Sequence, residues 1–302
     1  MARRLADRGV RAEHLDFADV PGRVALAWDP LGRRGVLEPP DGPAIALENL
    51  RGVYWRTATR TRAPSGLQPA LHGFAEDEAR RALECTLRAL PCPVINPPET
   101  IAAHRFKPLQ TAQVAALGVP VPDTLISSSP AALRAFCAAH PDGVIVKPIG
   151  GGAYARRIVP GDLERDASVR ACPMQYQALI AGEDLRVYVV GERVLAGRIV
   201  IDNPARVDFR TDPRHHSVAI ELDAAAAQRC RDIARALGLA FTGIDLRRTS
   251  AGQLVFLEAN PSPMFLRFEQ DTGHPLLDAL VDLLLSRASP RAAPAPAHAA
   301  TT

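Results

Sequence analysis

A predicted β-hairpin near residue 250 constrains the fold of this chain more than any other feature of the sequence. Residues 243–248 and 254–258 are two apolar runs of strand length, and a short turn separates them. Asp245 lies in the first run. Glu258 ends the second run and Asn260 follows two residues later, so these two side chains face the same side of a strand. The chain must therefore contain a sheet with polar side chains on one face.

The predicted register of this hairpin brings the oxygen-bearing side chains together. With residue 249 opposite residue 252, Asp245 lies opposite residue 256 and diagonal to Glu258. Diagonal neighbours are about 7–8 Å apart, so their side chains can converge on one ion. Two carboxylates and an amide oxygen suit Mg²⁺, and neither carboxylate has an evident lysine partner in the sequence. The alternative explanation is that acidic residues simply end strands near solvent.

Lysine is rare in this chain: Lys107 and Lys147 are the only lysines among its 36 lysines and arginines. Lys147 ends the apolar run 144–146 and precedes the glycine cluster 150–152. A compact ammonium reaches a phosphate oxygen in a narrow slot, and glycines let backbone N–H groups approach phosphates. The pattern indicates a nucleotide site, although a strand follows the glycines, so this is neither a P-loop nor a Rossmann fingerprint. Biased composition and a flexible hairpin loop are the alternatives.

Two further segments carry residue types suited to a nucleotide. Asp184 and Arg186 open a predicted strand after a turn, and the acidic side chain can accept hydrogen bonds from ribose hydroxyls. Arg210 lies in a charged loop, where a guanidinium stabilises an acyl phosphate. The alternative explanation for the segment of Asp184 and Arg186 is a surface turn with a salt bridge, and for the segment of Arg210 it is a solvated loop. The extended segment before the turn exposes backbone groups to an adenine edge and comprises Gln177, Ala178, Leu179 and Ile180.

Composition excludes several functional classes. The 36 basic and 33 acidic residues are interspersed, and the net charge is +3, so no nucleic-acid partner is indicated. No apolar stretch approaches the roughly 18 residues of a membrane span, and no signal peptide opens the chain. The five cysteines are scattered without a C-x-x-C pair, which favours reduced thiols over a metal or disulfide framework. We therefore expect a cytoplasmic protein.

Predicted strands and helices alternate along the chain, which indicates an α/β protein with α+β subdomains. In the N-terminal part, the pattern predicts a strand at residues 14–17 and a hairpin from residues 24–28 and 35–37. Beyond Pro97-Pro98, a single helix is predicted over residues 100–117. The predicted domains are an N-terminal domain at residues 1–98, a central subdomain with the glycine-rich lid at 99–175, a carboxyl-terminal subdomain at 176–288, and a disordered Pro/Ala-rich tail at 289–302.

Six short motifs occur in order along residues 94–286, and their order is more specific than any one of them. They are Lys107-Pro108-Leu109-Gln110 with Gly118 to Thr124, Val146-Lys147-Pro148, Gly182-Glu183-Asp184-Leu185-Arg186, Asp208-Phe209-Arg210, Gly243-Ile244-Asp245-Leu246, and Leu257-Glu258-Ala259-Asn260-Pro261. The series resembles the ATP-grasp superfamily of carboxylate–amine ligases. It is most similar to the RimK-type branch, which includes the graspetide-type maturases that cyclise ribosomal peptides.

The resemblance implies an ATP-grasp fold after a Rossmann-like pre-ATP-grasp domain whose first strand we expect to be missing. It implies an ADP-forming ligase that forms an amide, or less often an ester, through an acyl phosphate. Relatives often have glutamate in place of Ala178, and the lid of residues 150–157 departs from their glycine pattern. The implied roles are phosphate binding by Lys107, Lys147, Gly151 and Gly152, adenine binding by Gln177, Ala178, Leu179 and Ile180, ribose binding by Asp184, magnesium ligation by Asp245, Glu258 and Asn260, and acyl-phosphate stabilisation by Arg210 and Arg186.

The resemblance also implies the cofactors and partners. ATP and Mg²⁺ are expected, with two metal ions and with Mn²⁺ as a candidate substitute. The expected substrate is a peptide or an amino acid, and a homo-oligomer is common in the family. Two alternatives stay open: an amino-acid ligase acting on a protein tail or a small molecule, and a nucleotide-binding scaffold without catalysis. The intact set of magnesium ligands disfavours the scaffold.

Overall fold

The computed structural model describes residues 1–56, 61–150, 153–203 and 206–288. The chain forms two compact units, one of Met1–Pro98 with the segment that starts at Val281, and one of Glu99–Leu280. The predicted tail at 289–302 lies outside the described residues. No helix of the described residues has the length and apolar character needed to cross a bilayer.

The first unit combines a small antiparallel sheet with one long helix. Its buried core includes Val24, Leu37 and Leu83. The predicted hairpin is confirmed, because Leu26 pairs with Leu37 across the first two strands. Strands β4 and β5 pair in parallel with helix α2 in the connection between them. The elements are α1 (Ala2–Ala6), β1 (Ala25–Asp29), β2 (Arg34–Glu38), β3 (Ile45–Ala46), β4 (Val53–Tyr54), α2 (His72–Ala89) and β5 (Val94–Ile95).

The strand predicted at residues 14–17 is wrong. The chain forms a 3-10 turn at Phe17–Asp19 instead, and the Asp16 side chain accepts a hydrogen bond from the N–H of Ala18 at 2.9 Å. An aspartate that bonds the backbone two residues on favours a turn over an extended strand. The Rossmann-like character of this unit stays a prediction.

The second unit opens with two helices where the sequence predicted one. Helix α3 spans Pro98–Ala103 and helix α4 spans Lys107–Ala115. Pro108 lacks a backbone N–H, so it fits the first turn of α4 and not the interior of a longer helix. The break separates α4 from α3 and makes Lys107 the first residue of its own helix.

A four-stranded antiparallel sheet follows, in the order β6-β9-β7-β8. One face carries Val144, Val146 and Tyr176, which pack with Leu133 of helix α5. Alternation along the strands places Lys147 and Gln175, which are cross-strand partners, on the opposite face. The elements are β6 (Thr124–Ser127), α5 (Pro130–Ala139), β7 (Val144–Lys147), β8 (Arg156–Arg157), α6 (Asp166–Ala171) and β9 (Met174–Ala178).

A second, five-stranded antiparallel sheet has the order β12-β11-β10-β13-β14. Its apolar face carries Val187, Ile244 and Phe256, which pack with Ile233 and Val114 in one core cluster. The opposite face carries the polar side chains of the site. The elements are β10 (Glu183–Val190), β11 (Arg193–Val200), β12 (His216–Ile220), α7 (Ala224–Ala236), β13 (Phe241–Arg248), β14 (Leu254–Asn260), α8 (Leu266–Thr272) and α9 (Leu276–Arg287).

Gly182 shows why the turn before β10 needs glycine. Its φ of +148° disfavours other residues, and an added Cβ would lie 2.1 Å from the carbonyl oxygen of Arg248. The close approach of these two backbones fixes where β10 begins, and therefore where Asp184 and Arg186 lie along the strand.

Candidate functional site

The hairpin of β13 and β14 places Asp245 directly opposite Glu258 and Gly243 opposite Asn260. The predicted register, with Asp245 opposite residue 256, is wrong by two residues. The turn is longer than predicted, because Arg248 pairs with Leu254, and a β-bulge between the 245 and 246 pairings inserts one more residue. The three oxygen-bearing side chains therefore share one face more closely than the sequence indicated.

Each carboxylate of this pair has a cationic partner. The Lys107 Nζ atom lies 2.6 Å from Glu258 Oε2, although 151 residues separate the two in the chain. Arg186 Nη2 donates to Asp245 Oδ2 at 3.2 Å, and Arg186 Nε lies 2.6 Å from Asp245 Oδ1. The sequence interpretation that neither carboxylate has a lysine partner is wrong for Glu258.

The two carboxylates differ in their protonation. Burial raises the pKa of Asp245 to about 6, and the attraction of Arg186 only partly opposes this. Burial also works against ionisation of Glu258, but Lys107, Lys147 and Arg186 outweigh it and lower the pKa of that carboxyl. Glu258 is therefore a stable anion at neutral pH, whereas Asp245 takes up a proton near pH 6.

The donor set fits a hard divalent cation. Asp245 Oδ1 is buried without a hydrogen-bond partner, because its close contact with Arg186 Nε is not aligned as a hydrogen bond. Asn260 Oδ1 accepts one hydrogen bond, from the N–H of Ser262 at 2.9 Å, and keeps a second lone pair. Within the described residues, no group of three or more His, Cys, Asp or Glu side chains could hold a metal ion. An ion here therefore requires the amide oxygen of Asn260 and non-protein oxygens such as those of phosphates.

Lys147 ends β7 on the face opposite helix α5. Burial lowers the pKa of its ammonium and Lys107 lowers it further, whereas Glu258 and Asp245 attract the charge and oppose this shift. These interactions link the polar face of the four-stranded sheet to that of the five-stranded sheet. In the described part of the chain, Lys147 makes no ion pair, so it is a desolvated cation suited to an incoming anion.

Arg210 lies in the loop between β11 and β12 and is tied to Asp208. Its Nε donates to Asp208 Oδ1 at 2.8 Å and its Nη2 to Oδ2 at 2.5 Å. Asp208 Oδ2 also accepts from the N–H of Ala155 at 3.1 Å, and the Arg210 guanidinium lies 5.4 Å from the ring centre of Tyr154. The loop therefore contacts the segment after the glycine cluster, whose Gly151 and Gly152 lie outside the described residues.

The predicted adenine segment runs from the end of β9 into the turn. Gln177 is buried, and its Nε2 donates to Thr124 Oγ1 at 2.9 Å. The backbone N–H groups of Ala178 and Leu179 bond to carbonyl oxygens of the same subdomain. None of the described hydrogen bonds between backbone groups outside strands and helices involves Ile180. Of the four residues, Ile180 therefore offers its backbone to a ligand most directly.

Asp184 lies on the same face of β10 as Arg186. Its Oδ1 lies 3.0 Å from Arg247 Nη2, and Arg247 also donates to the carbonyl oxygen of Gly182 at 3.1 Å. Burial raises the pKa of Asp184 and Arg247 opposes the shift. The sequence interpretation did not identify Arg247, because an arginine in this arginine-rich chain carries no signal of its own.

Two glutamines near the site were also not assigned a role from the sequence. Gln110 follows Lys107 by three residues on α4, and its side chain makes two hydrogen bonds of 2.8 Å to the backbone of Ala259. The K-x-x-Q spacing was the only signal for it. Gln175 is fully buried beside its strand partner Lys147, and both of its amide atoms lack a hydrogen-bond partner in the described structure. No sequence pattern pointed to Gln175.

Comparisons with known proteins agree on one class. The RimK-like ATP-grasp domain family matches residues 107–284. A probable alpha-L-glutamate ligase of Xanthomonas oryzae is 29% identical over 203 residues, covering 63% of this chain and 67% of that protein. Human N-acetylaspartylglutamate synthase A is 27% identical over 218 residues, covering 67% of this chain and 55% of the synthase.

Solved structures extend the likeness to more than nine-tenths of the chain. The ATP-grasp ligase PsnB in complex with a minimal precursor has a TM-score of 0.80 at 28% identity, covering 94% of this chain and 93% of that chain. A RiPP-associated ATP-grasp ligase of Chryseobacterium gregarium, bound to ADP and a leader and core peptide, has a TM-score of 0.85 at 20% identity, covering 96% and 92%. The latter likeness concerns the fold alone.

The fold and the cluster of two lysines and two carboxylates in the second unit define an ATP-grasp ligase of the carboxylate–amine, ADP-forming class. The match to residues 107–284 spans more than half of the chain, so the protein belongs to the RimK-like ATP-grasp domain family. The predicted ATP-grasp fold and RimK-type resemblance are confirmed. ATP and Mg²⁺ are the cofactors of this family.

Proposed function

We propose that this chain activates a peptide or amino-acid carboxylate with ATP and joins it to an amine. A substrate carboxylate oxygen attacks the terminal phosphorus of ATP, and ADP leaves. The amine nitrogen then attacks the acyl carbon, loses a proton to solvent, and phosphate leaves. The observation that carries the proposal is the convergence of Lys107 and Lys147 with Asp245 and Glu258 in one partly buried cluster.

The lysines of this cluster would hold the phosphates of ATP. Lys147 is a desolvated ammonium without an ion pair among the described residues, so an anionic phosphate would satisfy it. Lys107 pairs with Glu258 at 2.6 Å and can turn towards a phosphate when a cation takes its place at the carboxylate. Gly151 and Gly152 are proposed to supply backbone N–H groups, as the sequence predicts.

Asp245, Glu258 and Asn260 are the residues that would hold Mg²⁺. Bound there with phosphate oxygens, Mg²⁺ would offset negative charge on the nucleotide. The protein's own part is to position the reactants and to keep the site poor in water, since phosphoryl transfer needs little covalent help. Two ions, and the substitution of Mn²⁺, stay part of the proposal.

The two arginines have different proposed roles. The Arg210 side chain is about half exposed and lies on the loop beside Tyr154, so it can reach an acyl phosphate at the open side of the site. The Arg186 side chain is buried and bound to Asp245, so it would orient that carboxylate rather than contact the substrate. Ile180 and the preceding three residues would meet adenine, and Asp184 would meet the ribose.

A peptide is the favoured substrate, because the chain aligns with 93% of the length of PsnB, which is bound to a minimal precursor. An amino acid is the second candidate, because this chain is also 29% identical to a probable alpha-L-glutamate ligase. It ranks second because the alignment covers only 67% of that ligase. The proposal also includes a subdomain division at residue 175, an amide rather than an ester product, a homo-oligomeric state and a cytoplasmic location.

The test is an ADP-release screen with peptides that contain glutamate and aspartate, and with free amino acids. The intact chain should release ADP in a substrate-dependent and Mg²⁺-dependent manner, and Lys147→Ala and Glu258→Ala should abolish this release. Gln228→Ala, at an exposed residue of α7, is the matched control and should act like the intact chain. Undiminished release from both site variants would overturn the assignment. Binding of MgATP without turnover on any substrate would favour an inactive scaffold.

A further inference from the structure

Strand β14 is an edge strand, since it pairs with β13 on one side only. The free side of an edge strand exposes unpaired backbone groups, and Gln110 of α4 forms hydrogen bonds with those of Ala259. The Oε1 atom of Gln110 accepts from the N–H of Ala259, and Nε2 donates to the carbonyl oxygen of the same residue, each at 2.8 Å. The side-chain amide thus replaces the missing neighbouring strand at Ala259.

A second anchor lies on the other side of the β-bulge. The N–H of Phe256 donates to the carbonyl oxygen of Pro120 at 2.8 Å. Leu246 pairs with Phe256, whereas Asp245 pairs with Glu258, so Leu257 is the inserted residue. Contacts at Phe256 and Ala259 therefore hold the chain just before and just after the bulge.

The bulge decides which way Glu258 points. Without it, the pairing of Leu246 with Phe256 would continue with Asp245 opposite Leu257, and Glu258 would turn towards the apolar face. With it, Glu258 lies opposite Asp245, and Asn260 shares the same face. Convergence of the three oxygen-bearing side chains therefore depends on this one inserted residue.

His104 orients the amide of Gln110. Its Nε2 lies 2.7 Å from the carbonyl oxygen of Leu237, which can only accept, so Nε2 carries the proton. The other ring nitrogen, Nδ1, then accepts from Gln110 Nε2 at 3.3 Å. This assigns Nε2 as the end of the amide that faces both His104 and the carbonyl oxygen of Ala259. Both side chains are buried, with 2% exposure for Gln110 and 8% for His104.

The same helix also carries Lys107, three residues before Gln110 and therefore on the same face. Lys107 contacts the side chain of Glu258, and Gln110 holds the backbone of the next residue. Helix α4 thus fixes the bulge through two neighbouring contacts of different kinds.

From these contacts we infer that Gln110, oriented by His104, is a positioning residue of the ligase: it holds the β14 bulge and thereby brings Glu258 and Asn260 to face Asp245. The inference rests on the proposed function for its effect on Mg²⁺, but the hydrogen bonds to Ala259 do not depend on that function. An acceptor-only or apolar side chain at this position cannot make both bonds.

The test compares Gln110→Met, which keeps the length but makes neither bond, and Gln110→Glu, which cannot donate when its carboxyl is ionised, with Gln113→Met. Gln113 is exposed on the same helix and is the matched control. In the ligand-free proteins, hydrogen–deuterium exchange of the Ala259 amide should be at least about tenfold faster in both Gln110 variants. The Mg²⁺ concentration for half-maximal ADP release should rise at least about tenfold, and the control should match the intact chain in both measurements.

Unchanged exchange at Ala259 together with an unchanged Mg²⁺ requirement in the Gln110 variants would overturn the inference and leave the proposed function standing. An intact chain that never releases ADP would overturn the proposed function, whereas the exchange data would still decide the role of Gln110. Should the variants not fold, exchange in the intact chain decides alone. Slow exchange of the Ala259 amide supports the hydrogen bond to Gln110, and exchange at the rate of an exposed amide contradicts it.

Discussion

Protonation of Asp245 makes a quantitative prediction for the ligand-free protein. Burial raises the pKa of this carboxyl from 3.8 to about 6 in the folded chain. The folded chain therefore binds a proton between pH 6 and pH 4 that the unfolded chain does not hold, so this group makes the folded state more stable as the pH falls through 6. From pH 7 to pH 5 the gain is on the order of 1 kcal/mol, since each pKa unit corresponds to roughly that free energy.

Other groups titrate in the same range, so the prediction concerns a difference between two proteins. Free energies of unfolding from urea titrations at pH 7, 6 and 5 should rise less in Asp245→Asn than in the intact chain, by on the order of 1 kcal/mol at pH 5. Asp142→Asn, at an exposed loop residue, is the control and should follow the intact chain. Parallel curves for Asp245→Asn and the intact chain between pH 7 and pH 5 would refute the assigned protonation.

Three further substitutions test the packing around the site by the free energy of unfolding. Gln175→Leu removes a buried amide without partners in the described structure, so it should stabilise the protein by about 1–3 kcal/mol, and a loss of stability would show that the amide is paired. Lys107→Met removes the partner of Glu258 and should destabilise the protein by about 2 kcal/mol, a value between those measured for exposed and for buried ion pairs. An unchanged free energy of unfolding would mean that this ion pair contributes nothing to stability. Gly182→Ala should destabilise by about 2 kcal/mol or more, because a Cβ meets the carbonyl oxygen of Arg248, and a neutral result would contradict that contact.

The strands and most helices were predictable because their signals are local. The apolar runs of β10, β11 and β13 alternate or end at turn residues, and Ser129 precedes α5 as an N-cap that accepts from the N–H of Ala132. The motifs that carry the resemblance lie at the ends of these elements. Their order along the chain was sufficient to predict the ATP-grasp fold and the RimK-type family.

The arrangement of the site was less predictable because it depends on contacts distant in sequence. The bulge at Leu257 lies between two contacts that the backbone of β14 makes with Gln110 and Pro120 in another part of the chain, and the hairpin sequence alone did not predict it. The pair of Lys107 and Glu258 likewise joins two ends of the unit. Sequence spacing identified the side chains that converge, whereas the register that aligns them required the fold.

The central claim is that Lys107 of helix α4, Lys147 of β7 and the carboxylates of β13 and β14 form one MgATP site. Calorimetric titration of MgATP into the intact chain, Lys147→Ala and Arg134→Ala tests it most directly, because Arg134 is an exposed residue of α5 paired with Asp166. The account predicts that Lys147→Ala binds MgATP at least about tenfold more weakly, since a phosphate of ATP loses its ammonium partner, while Arg134→Ala binds like the intact chain. Equal affinity of Lys147→Ala and the intact chain would contradict the account.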